Sequence, residues 1–186
     1  MKERLITTAA VEMNKRGVKF TIDSLAEQLG ISKKTVYQYV ASKQELIHLV
    51  VATALRDMTE QMNDIAGRDL SLNDRLYAVL TVQPKCFGPI NDWVYDDLKR
   101  YCPAEWQIVE QYSQKKLKVL SEIIDQGIAS GKLRPVNTPV VVIALNGAIK
   151  QLLEYRFLSE NNLTFNDALV ALTDIIMYGI VQKAGN

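Results

Sequence analysis

The sequence predicts an all-α protein. Segments with apolar residues at helical spacing follow one another along the chain, and short stretches that contain Gly, Pro or Asn separate them. No segment alternates apolar and polar residues between hairpin turns, as the strands of a sheet would. The chain has 186 residues, 48% of them hydrophobic, which is enough to bury a substantial core.

Composition also indicates where the protein works. No run of about 18 apolar residues is present to span a bilayer, and the first residues alternate charged and apolar groups instead of forming a signal peptide. We therefore expect a cytoplasmic protein without a membrane segment. Cys86 and Cys102 are too few for the disulfide framework of a secreted domain, although the sequence is compatible with one bridge between them.

Three helices are predicted at the amino end. Residues 2–16 carry an apolar stripe and are followed by Gly17, which can stop a helix. In residues 21–46, Thr21 can cap a second helix, Gly30 can adopt the left-handed conformation that ends it, and Ser32 can cap a third. Two helices joined this closely must cross steeply, so we predict a helix-turn-helix.

The third helix is predicted over residues 33–40. At about 100° per residue, an inward Val36 places Lys34 and Gln38 on the outward face, with Thr35 and Tyr37 beside them. The buried side then comprises Ser32, Val40 and, more obliquely, Tyr39. The outward face offers an ammonium, an amide, a hydroxyl and a phenol but no carboxylate, so it is suited to a polyanion with phosphates and base edges.

A further helix begins at Ser42, where Glu45 completes a capping box. Lys43 lies in its first turn, beside backbone amides that already carry partial positive charge. A DNA phosphate at this point would stabilise that arrangement. Residues 1–50 contain eight Lys or Arg and five Asp or Glu, so the positive charge is concentrated where the motif lies.

Together these residues resemble the amino-terminal signature of the tetracycline-repressor (TetR) family of bacterial transcription regulators. The resemblance covers about the first quarter of the chain and rests on Thr21, Leu25, Ala26, Gly30, Ile31, Ser32, Thr35, Val36, Tyr37, Ser42, Lys43, Glu45 and Leu46. Two positions depart from the usual pattern, which commonly has His where Tyr39 stands and Phe where Val40 stands. Tyr39 retains a hydroxyl that can reach a phosphate, and Val40 is a smaller core residue.

The resemblance implies two domains and a DNA partner. A helix-turn-helix DNA-binding domain is expected over residues 1–46, a bridging helix over 42–66, and a helical regulatory, ligand-binding and dimerisation domain over 47–186. We expect contacts with double-stranded DNA from Thr21, Ser32, Lys33, Lys34, Thr35, Tyr37, Gln38, Tyr39 and Lys43. For the same side chains, the alternative is an ordinary solvated helix face.

Further helices are predicted over residues 71–82, 90–101, 104–129, 138–159 and 164–183. The last two are apolar on more than one side, so each needs more than one partner, either in the same chain or in a second copy. Because TetR relatives commonly dimerise through their last two long helices, the resemblance favours a homodimer through residues 138–159 and 164–183. A two-fold dimer fits a palindromic DNA site.

The resemblance also implies a small-molecule effector and a cavity for it among the middle helices. The candidates for this ligand site are Phe87, Trp93, Tyr101, Trp106, Tyr112 and Glu154. Aromatic residues at irregular spacing are also typical of an ordinary core. Lys150, Glu154 and Arg156 lie on an otherwise apolar helix, where they can bind a ligand or form ion pairs across a dimer.

The sequence gives no indication of catalysis. His48 is the single histidine and has no nearby Cys, whereas zinc requires three or four ligands. Because no Ser/His/Asp set, paired carboxylates or glycine-rich phosphate loop appears, we expect no enzyme, metal or cofactor. The resemblance implies instead a ligand-responsive DNA-binding repressor. The alternative is a helical small-molecule-binding or protein-interaction module without specific DNA binding.

Overall fold

The computed structural model describes residues 1–87, 90–91, 93–153 and 155–180. Within these ranges the helices are α1 (Lys2–Arg16), α2 (Ile22–Leu29), α3 (Lys33–Val36), α4 (Lys43–Gly67), α5 (Leu72–Leu80), α6 (Trp93–Tyr101), α7 (Pro103–Ala129), α8 (Thr138–Leu152), α9 (Tyr155–Glu160) and α10 (Phe165–Ile180). A 3-10 turn, Gly17–Lys19, joins α1 to α2. The prediction of an all-α fold is confirmed. Among the described helices, none combines the length and the hydropathy that a membrane crossing requires.

Several helices begin where the sequence predicts, because a Ser or Thr hydroxyl caps them. At the start of α5, Ser71 Oγ accepts a hydrogen bond from the Asp74 backbone N–H over 3.1 Å. At the start of α10, Thr164 Oγ1 accepts from the Asp167 N–H over 3.2 Å, and Asp167 Oδ2 accepts from the Thr164 N–H in return. These bonds satisfy amides that have no partner within the helix.

Other helix boundaries differ from the prediction. The helix predicted over residues 71–82 ends at Leu80, and the one predicted from residue 90 begins at Trp93. The helix predicted over residues 138–159 is divided, since α8 ends at Leu152 and α9 begins at Tyr155. Residues 148–159 contain no Gly or Pro, so this division has no local sequence signal. The predicted end of the last helix, residue 183, lies outside the described residues.

The chain forms two compact units. The first comprises Met1–Met58 and Pro84–Val109, and the second comprises Thr59–Gln83 and Glu110–Asn186. Helices α4 and α7 therefore contribute residues to both units. The functional division expected at residue 46 stays a prediction.

The core of the first unit brings α6 together with the amino-terminal helices. Its buried residues include Leu5, Phe20, Leu25, Val36 and Leu46 from the amino-terminal segment, and Val94 and Leu98 from α6. Asp97, also on α6, accepts a hydrogen bond from the Val18 backbone N–H over 3.0 Å. Helix α6 therefore holds the 3-10 turn that precedes α2.

The core of the second unit is formed by α5, α7 and the carboxy-terminal helices. Its buried apolar residues include Leu76, Val79, Leu80, Leu117, Leu120, Ile124, Leu133, Leu145 and Leu169. Helix α10 packs against both α5 and α8. Other apolar side chains of α8 and α10 are exposed, among them Ile143 at 71% and Tyr178 at 86%. The second unit therefore presents apolar groups both inside and outside.

Candidate DNA interface

The turn between α2 and α3 is held by hydrogen bonds between residues close in sequence. Thr21 Oγ1 accepts from the Ser24 N–H over 3.1 Å at the start of α2. Gly30 adopts φ 65° and ψ 33°, the left-handed conformation that the sequence predicts, and so ends α2. The Ile31 N–H donates to the Ala26 carbonyl over 3.0 Å and closes the turn. The helix-turn-helix is therefore fixed by local contacts.

Helix α3 is shorter than the predicted segment 33–40, because it ends at Val36. Beyond this point the Gln38 N–H donates to the Thr35 carbonyl over 3.2 Å, and the Tyr39 N–H donates to the Val36 carbonyl over 3.0 Å. Bonds of this spacing make a tighter, 3-10-like turn. Val36 and Val40 are nevertheless buried as predicted, with 0% and 2% exposure.

Two residues predicted to face the core are exposed instead. Ser32 has extended backbone because it is the cap residue, and its Oγ atom accepts a hydrogen bond from the Thr35 N–H over 3.0 Å. Tyr39 is 40% exposed, because it lies beyond the end of α3, where helical spacing no longer sets its direction. Both side chains therefore join the outward surface.

The outward surface of α3 carries the polar groups that the sequence predicts. Lys34 and Gln38 are exposed, and Tyr37 is 45% exposed beside them. Thr35 is half-buried, and its hydroxyl oxygen lies 2.8 Å from that of Ser32. The surface therefore offers one ammonium, one amide and several hydroxyls for hydrogen bonding.

A carboxylate from α2 reaches the edge of this surface. Lys33 Nζ lies 2.8 Å from Asp23 Oδ2, and both side chains are exposed. The hydrogen bond from Lys33 to Asp23, together with the charge of that carboxylate, raises the pKa of Lys33. A phosphate that approaches Lys33 must therefore compete with Asp23. Helical spacing gave no signal for this pair, because it joins two different helices.

Lys43 lies against an aromatic ring of the core. Its Nζ atom is 4.8 Å from the centre of the Phe20 ring, the geometry of a cation–π contact. Partial burial lowers the pKa of Lys43. At the same helix start, the Glu45 N–H donates to Ser42 Oγ over 3.0 Å, while the Glu45 carboxylate accepts from the Ala41 N–H. In the predicted capping box the Glu45 carboxylate would accept from the Ser42 N–H, so the observed donor lies one residue earlier.

A buried carboxylate connects α1 to α2 beneath the interface. Glu12 is 0% exposed, and its Oε1 atom accepts a hydrogen bond from Gln28 Nε2 over 2.5 Å. Its Oε2 atom lies 3.5 Å from the Ser24 hydroxyl and 3.7 Å from Arg16 Nε. A carboxylate is stable at such a depth only with partners of this kind. Sequence reasoning missed Glu12, although its position on the apolar face of α1 was visible.

A second buried carboxylate belongs to the first residues of α7. Glu105 is 4% exposed and accepts a hydrogen bond from Gln44 Nε2 over 2.7 Å, and His48 Nδ1 lies 3.7 Å from it.

In the part of the chain that the structure describes, no group of His, Cys, Asp and Glu is arranged to hold a metal ion. Cys86 is exposed and Cys102 is buried, and both are free thiols.

Comparison with known proteins finds a similarity in the amino-terminal helices. Residues 5–50, which cover α1 to α3 and the start of α4, match a family model described as "Bacterial regulatory proteins, tetR family". This segment of the chain is similar to the regulatory proteins of the TetR family. The match falls on the same residues that carry the resemblance in the sequence.

Proteins similar to this chain align over nearly its whole length. The "Uncharacterized HTH-type transcriptional regulator YvaF" of Bacillus subtilis (strain 168) is 23% identical over 97% of this chain and 95% of its own. A TetR transcription regulator from Haloarcula marismortui has a TM-score of 0.75 at 16% identity, covering 97% of this chain and 98% of that one. A chain from Saccharomonospora viridis, solved in complex with choline, has a TM-score of 0.79 at 16% identity and 98% coverage of both. At these identities the structural likeness supports the fold alone.

The predicted ligand-site residues fall in different units. The first unit contains Phe87, Trp93, Tyr101 and Trp106. Of these, Phe87 and Trp106 are partly buried against the core of that unit. Tyr112 belongs to the second unit, and Glu154 lies outside the described residues. The assignment of these residues to one ligand site stays a prediction.

The polar residues predicted near the dimer helix are only partly described. Arg156 Nε lies 2.8 Å from Glu160 Oε1 on the same helix, α9. Lys150 is exposed in the last turn of α8. Arg156 therefore has an ion-pair partner within α9. The two possible roles of these side chains, ligand binding and ion pairs across a dimer, stay predictions.

Proposed function

We propose that this chain is a TetR-family repressor that binds a palindromic operator as a homodimer and releases it when a small molecule binds the second unit. The observation that carries the proposal is the exposed surface of α3 and of the turn that follows it, where Lys34 and Gln38 face solvent. A surface of this kind can donate hydrogen bonds to phosphates and base edges without placing a carboxylate of α3 against the duplex.

The side chains of this surface divide by chemistry. Gln38 carries an amide that can bond bidentately to adenine, so we assign it to base reading. Lys34 and Lys43 are assigned to phosphates, because an ammonium is a point charge without base preference. The remaining assigned hydrogen-bond donors are Thr21, Ser32, Lys33, Thr35, Tyr37 and Tyr39. Among them Lys33 is shared with Asp23, so its contribution to affinity is the smallest of the three lysines.

The exposed apolar side chains of α8 and α10 support the homodimer. On α8, Val140 is 59% and Ile143 71% exposed, and on α10, Ile175 is 68% and Tyr178 86% exposed. Within each pair the residues are three apart, so each pair lies on one helix face. Apolar patches of this kind are typical of protein interfaces, and TetR regulators function as dimers. A two-fold dimer would present two α3 helices to successive major grooves about 34 Å apart.

A small-molecule effector is supported by the choline complex of the Saccharomonospora viridis chain. An effector can release DNA only if it binds one arrangement of the dimer more tightly than the other. The affinities for DNA and for effector are then reciprocally coupled. Operator binding should therefore weaken the binding of effector by the same factor.

The experiment begins with selection of an operator from random duplexes, followed by fluorescence anisotropy across a range of salt concentrations. Six phosphate contacts predict that the logarithm of affinity falls against the logarithm of salt with a slope of about 5, since each contact contributes about 0.9. We also expect preference for the selected palindrome over random duplex. A flat salt dependence without sequence preference would instead favour a helical interaction module.

A further inference from the structure

The second unit buries a hydroxyl that has no partner. Tyr112 Oη, on α7, is buried and forms no hydrogen bond with any described residue. Lys116, one turn further along α7, donates from Nζ to the Leu80 carbonyl over 2.8 Å. Because Tyr112 and Lys116 are four residues apart on one helix, their side chains lie on the same face. Two partly buried residues with hydrogen-bond donors therefore lie one turn apart on one face of α7.

The ammonium of Lys116 has a neutral partner, a carbonyl, in place of a carboxylate. Burial lowers the pKa of Lys116 to about 8, and burial also raises the pKa of Tyr112 to about 12. Both side chains have therefore lost hydration. A buried cation without an opposite charge destabilises a fold, and an anion that reaches it reverses that effect.

Helix α5 supplies another buried donor. Arg75 Nε has no hydrogen-bond partner among the described residues, and it belongs to the helix whose Leu80 carbonyl accepts from Lys116. The buried hydroxyls elsewhere in this unit do have partners, since Thr138 and Thr173 donate hydrogen bonds of 2.6 and 2.8 Å. The unpartnered groups are thus concentrated on α5 and α7.

We propose that the second unit binds a small organic anion at Tyr112 and Lys116. The carboxylate or phosphate oxygens of the anion accept hydrogen bonds from these two side chains. An apolar body is expected on this anion, because the same two helices also bury Leu76 and Val79 of α5 and Leu117 of α7. A cation such as choline fits this place poorly, since no Asp or Glu is buried in the described part of the second unit. The role of the anion as effector rests on the function proposed above.

The test uses the full chain and matched ligands that differ only in charge. Straight-chain carboxylates from butyrate to dodecanoate, the corresponding alkyl phosphates, alcohols and trimethylammonium ions are compared by thermal shift and isothermal titration calorimetry. We expect anions to raise Tm, and the alcohols and ammonium ions to leave it unchanged. The carboxylate and phosphate series separate the two possible anionic groups. Stabilisation by the ammonium series, or by no member of the panel, would overturn the proposal.

Three variants test which residues hold the anion. Lys116→Met should weaken anion binding about tenfold or more, because a charged hydrogen bond is lost, while Tyr112→Phe should weaken it by a smaller factor. Lys118→Met, on an exposed position of the same helix, is the matched control and should bind as the wild type does. Lys116→Met removes a buried charge and is expected to fold well. Unchanged affinity in Lys116→Met would overturn the proposed site.

A parallel titration of the operator complex separates this site from the proposed function. If the anion binds through Lys116 and releases operator DNA, both proposals are supported. If the anion binds through Lys116 while operator affinity is unaltered, the site is supported and its role as effector fails. If the anion releases DNA equally from the wild type and from Lys116→Met, the regulatory proposal is supported and the site fails.

Discussion

The two units differ in the buried polar groups that lack a partner and in the most exposed apolar side chains. The first unit buries Glu12 and Glu105, gives hydrogen-bond partners to both, and exposes polar side chains such as Gln38. The second unit buries the Tyr112 hydroxyl without a partner among the described residues, and exposes apolar side chains such as Ile143. This difference is what motivates the dimer and the bound anion proposed above for the second unit.

The largest effect is expected from breaking the packing of the first unit at Gly17. This residue has φ 64° and ψ −159°, a region that only glycine adopts readily, and a Cβ atom there would lie 1.8 Å from Asp97 Oδ2. Gly17→Ala should therefore destabilise the protein by about 3 kcal/mol, measured by urea unfolding. Gly30→Ala is the control, because a Cβ atom there meets nothing within 4 Å, and it should cost only about 1 kcal/mol. Equal losses would contradict the contact with Asp97.

The next effect tests the exposed apolar face of the second unit. Ile143→Glu should convert the dimer to monomers, because the interface would bury an unpaired charge. A monomer has one helix-turn-helix in place of two linked ones, so its operator affinity should be about 100-fold lower. Sedimentation and anisotropy measure the two outcomes. Val11→Glu, at a 40% exposed position of α1, is the control and should stay dimeric. An Ile143→Glu protein that remains a dimer would contradict the assigned interface.

The buried amine of the second unit gives a pH-dependent prediction. The folded-state pKa of Lys116, about 8, lies below its ordinary value of 10.5, so between these values the unfolded chain binds a proton that the folded chain does not. Wild-type stability should therefore rise with pH across this window. Lys116→Met should be about 2 kcal/mol more stable than wild type at pH 7, with the difference shrinking as pH approaches 10.5. Urea unfolding at several pH values tests this, and a constant difference would contradict it.

The smallest effects distinguish residues within the DNA surface. Gln38→Ala should cost about 1 to 3 kcal/mol at one base position and relax discrimination there. Lys43→Ala should weaken binding to all sequences alike and reduce the salt slope by about 1. Because Lys43 also contacts the Phe20 ring, the unfolding free energy of the Lys43→Ala variant is measured alongside its DNA binding. Identical binding profiles for the two variants would contradict the division into base and phosphate contacts.

Local signals made much of the helix-turn-helix predictable. Thr21, Gly30 and Ser32 each act within a few residues, through a cap or a left-handed turn, so their roles follow from the sequence. The same local geometry fixed the outward direction of Lys34 and Gln38. It failed at Tyr39, because helical spacing was extended past the point where α3 ends.

Long-range packing was not predictable in the same way. The Val18 and Asp97 residues that join the 3-10 turn to α6 are 79 positions apart, and no periodicity within either segment indicates that they meet. For the same reason the sequence did not indicate that Phe87 and Trp106 pack partly against the core of the first unit, and their assignment to a ligand site stays a prediction. The division between α8 and α9 also lacks a local cause, since no Gly or Pro accompanies it.

Hydroxyl-radical footprinting of the selected operator tests the central claim most directly. If the exposed surface of α3 reads DNA twice per dimer, two protected segments should appear, related by a dyad and centred about one helical turn apart or a multiple of it. Protection of both segments should weaken together in Lys34→Ala, because each copy contributes the same surface. A single protected segment, or full protection by the Lys34→Ala protein, would contradict the account.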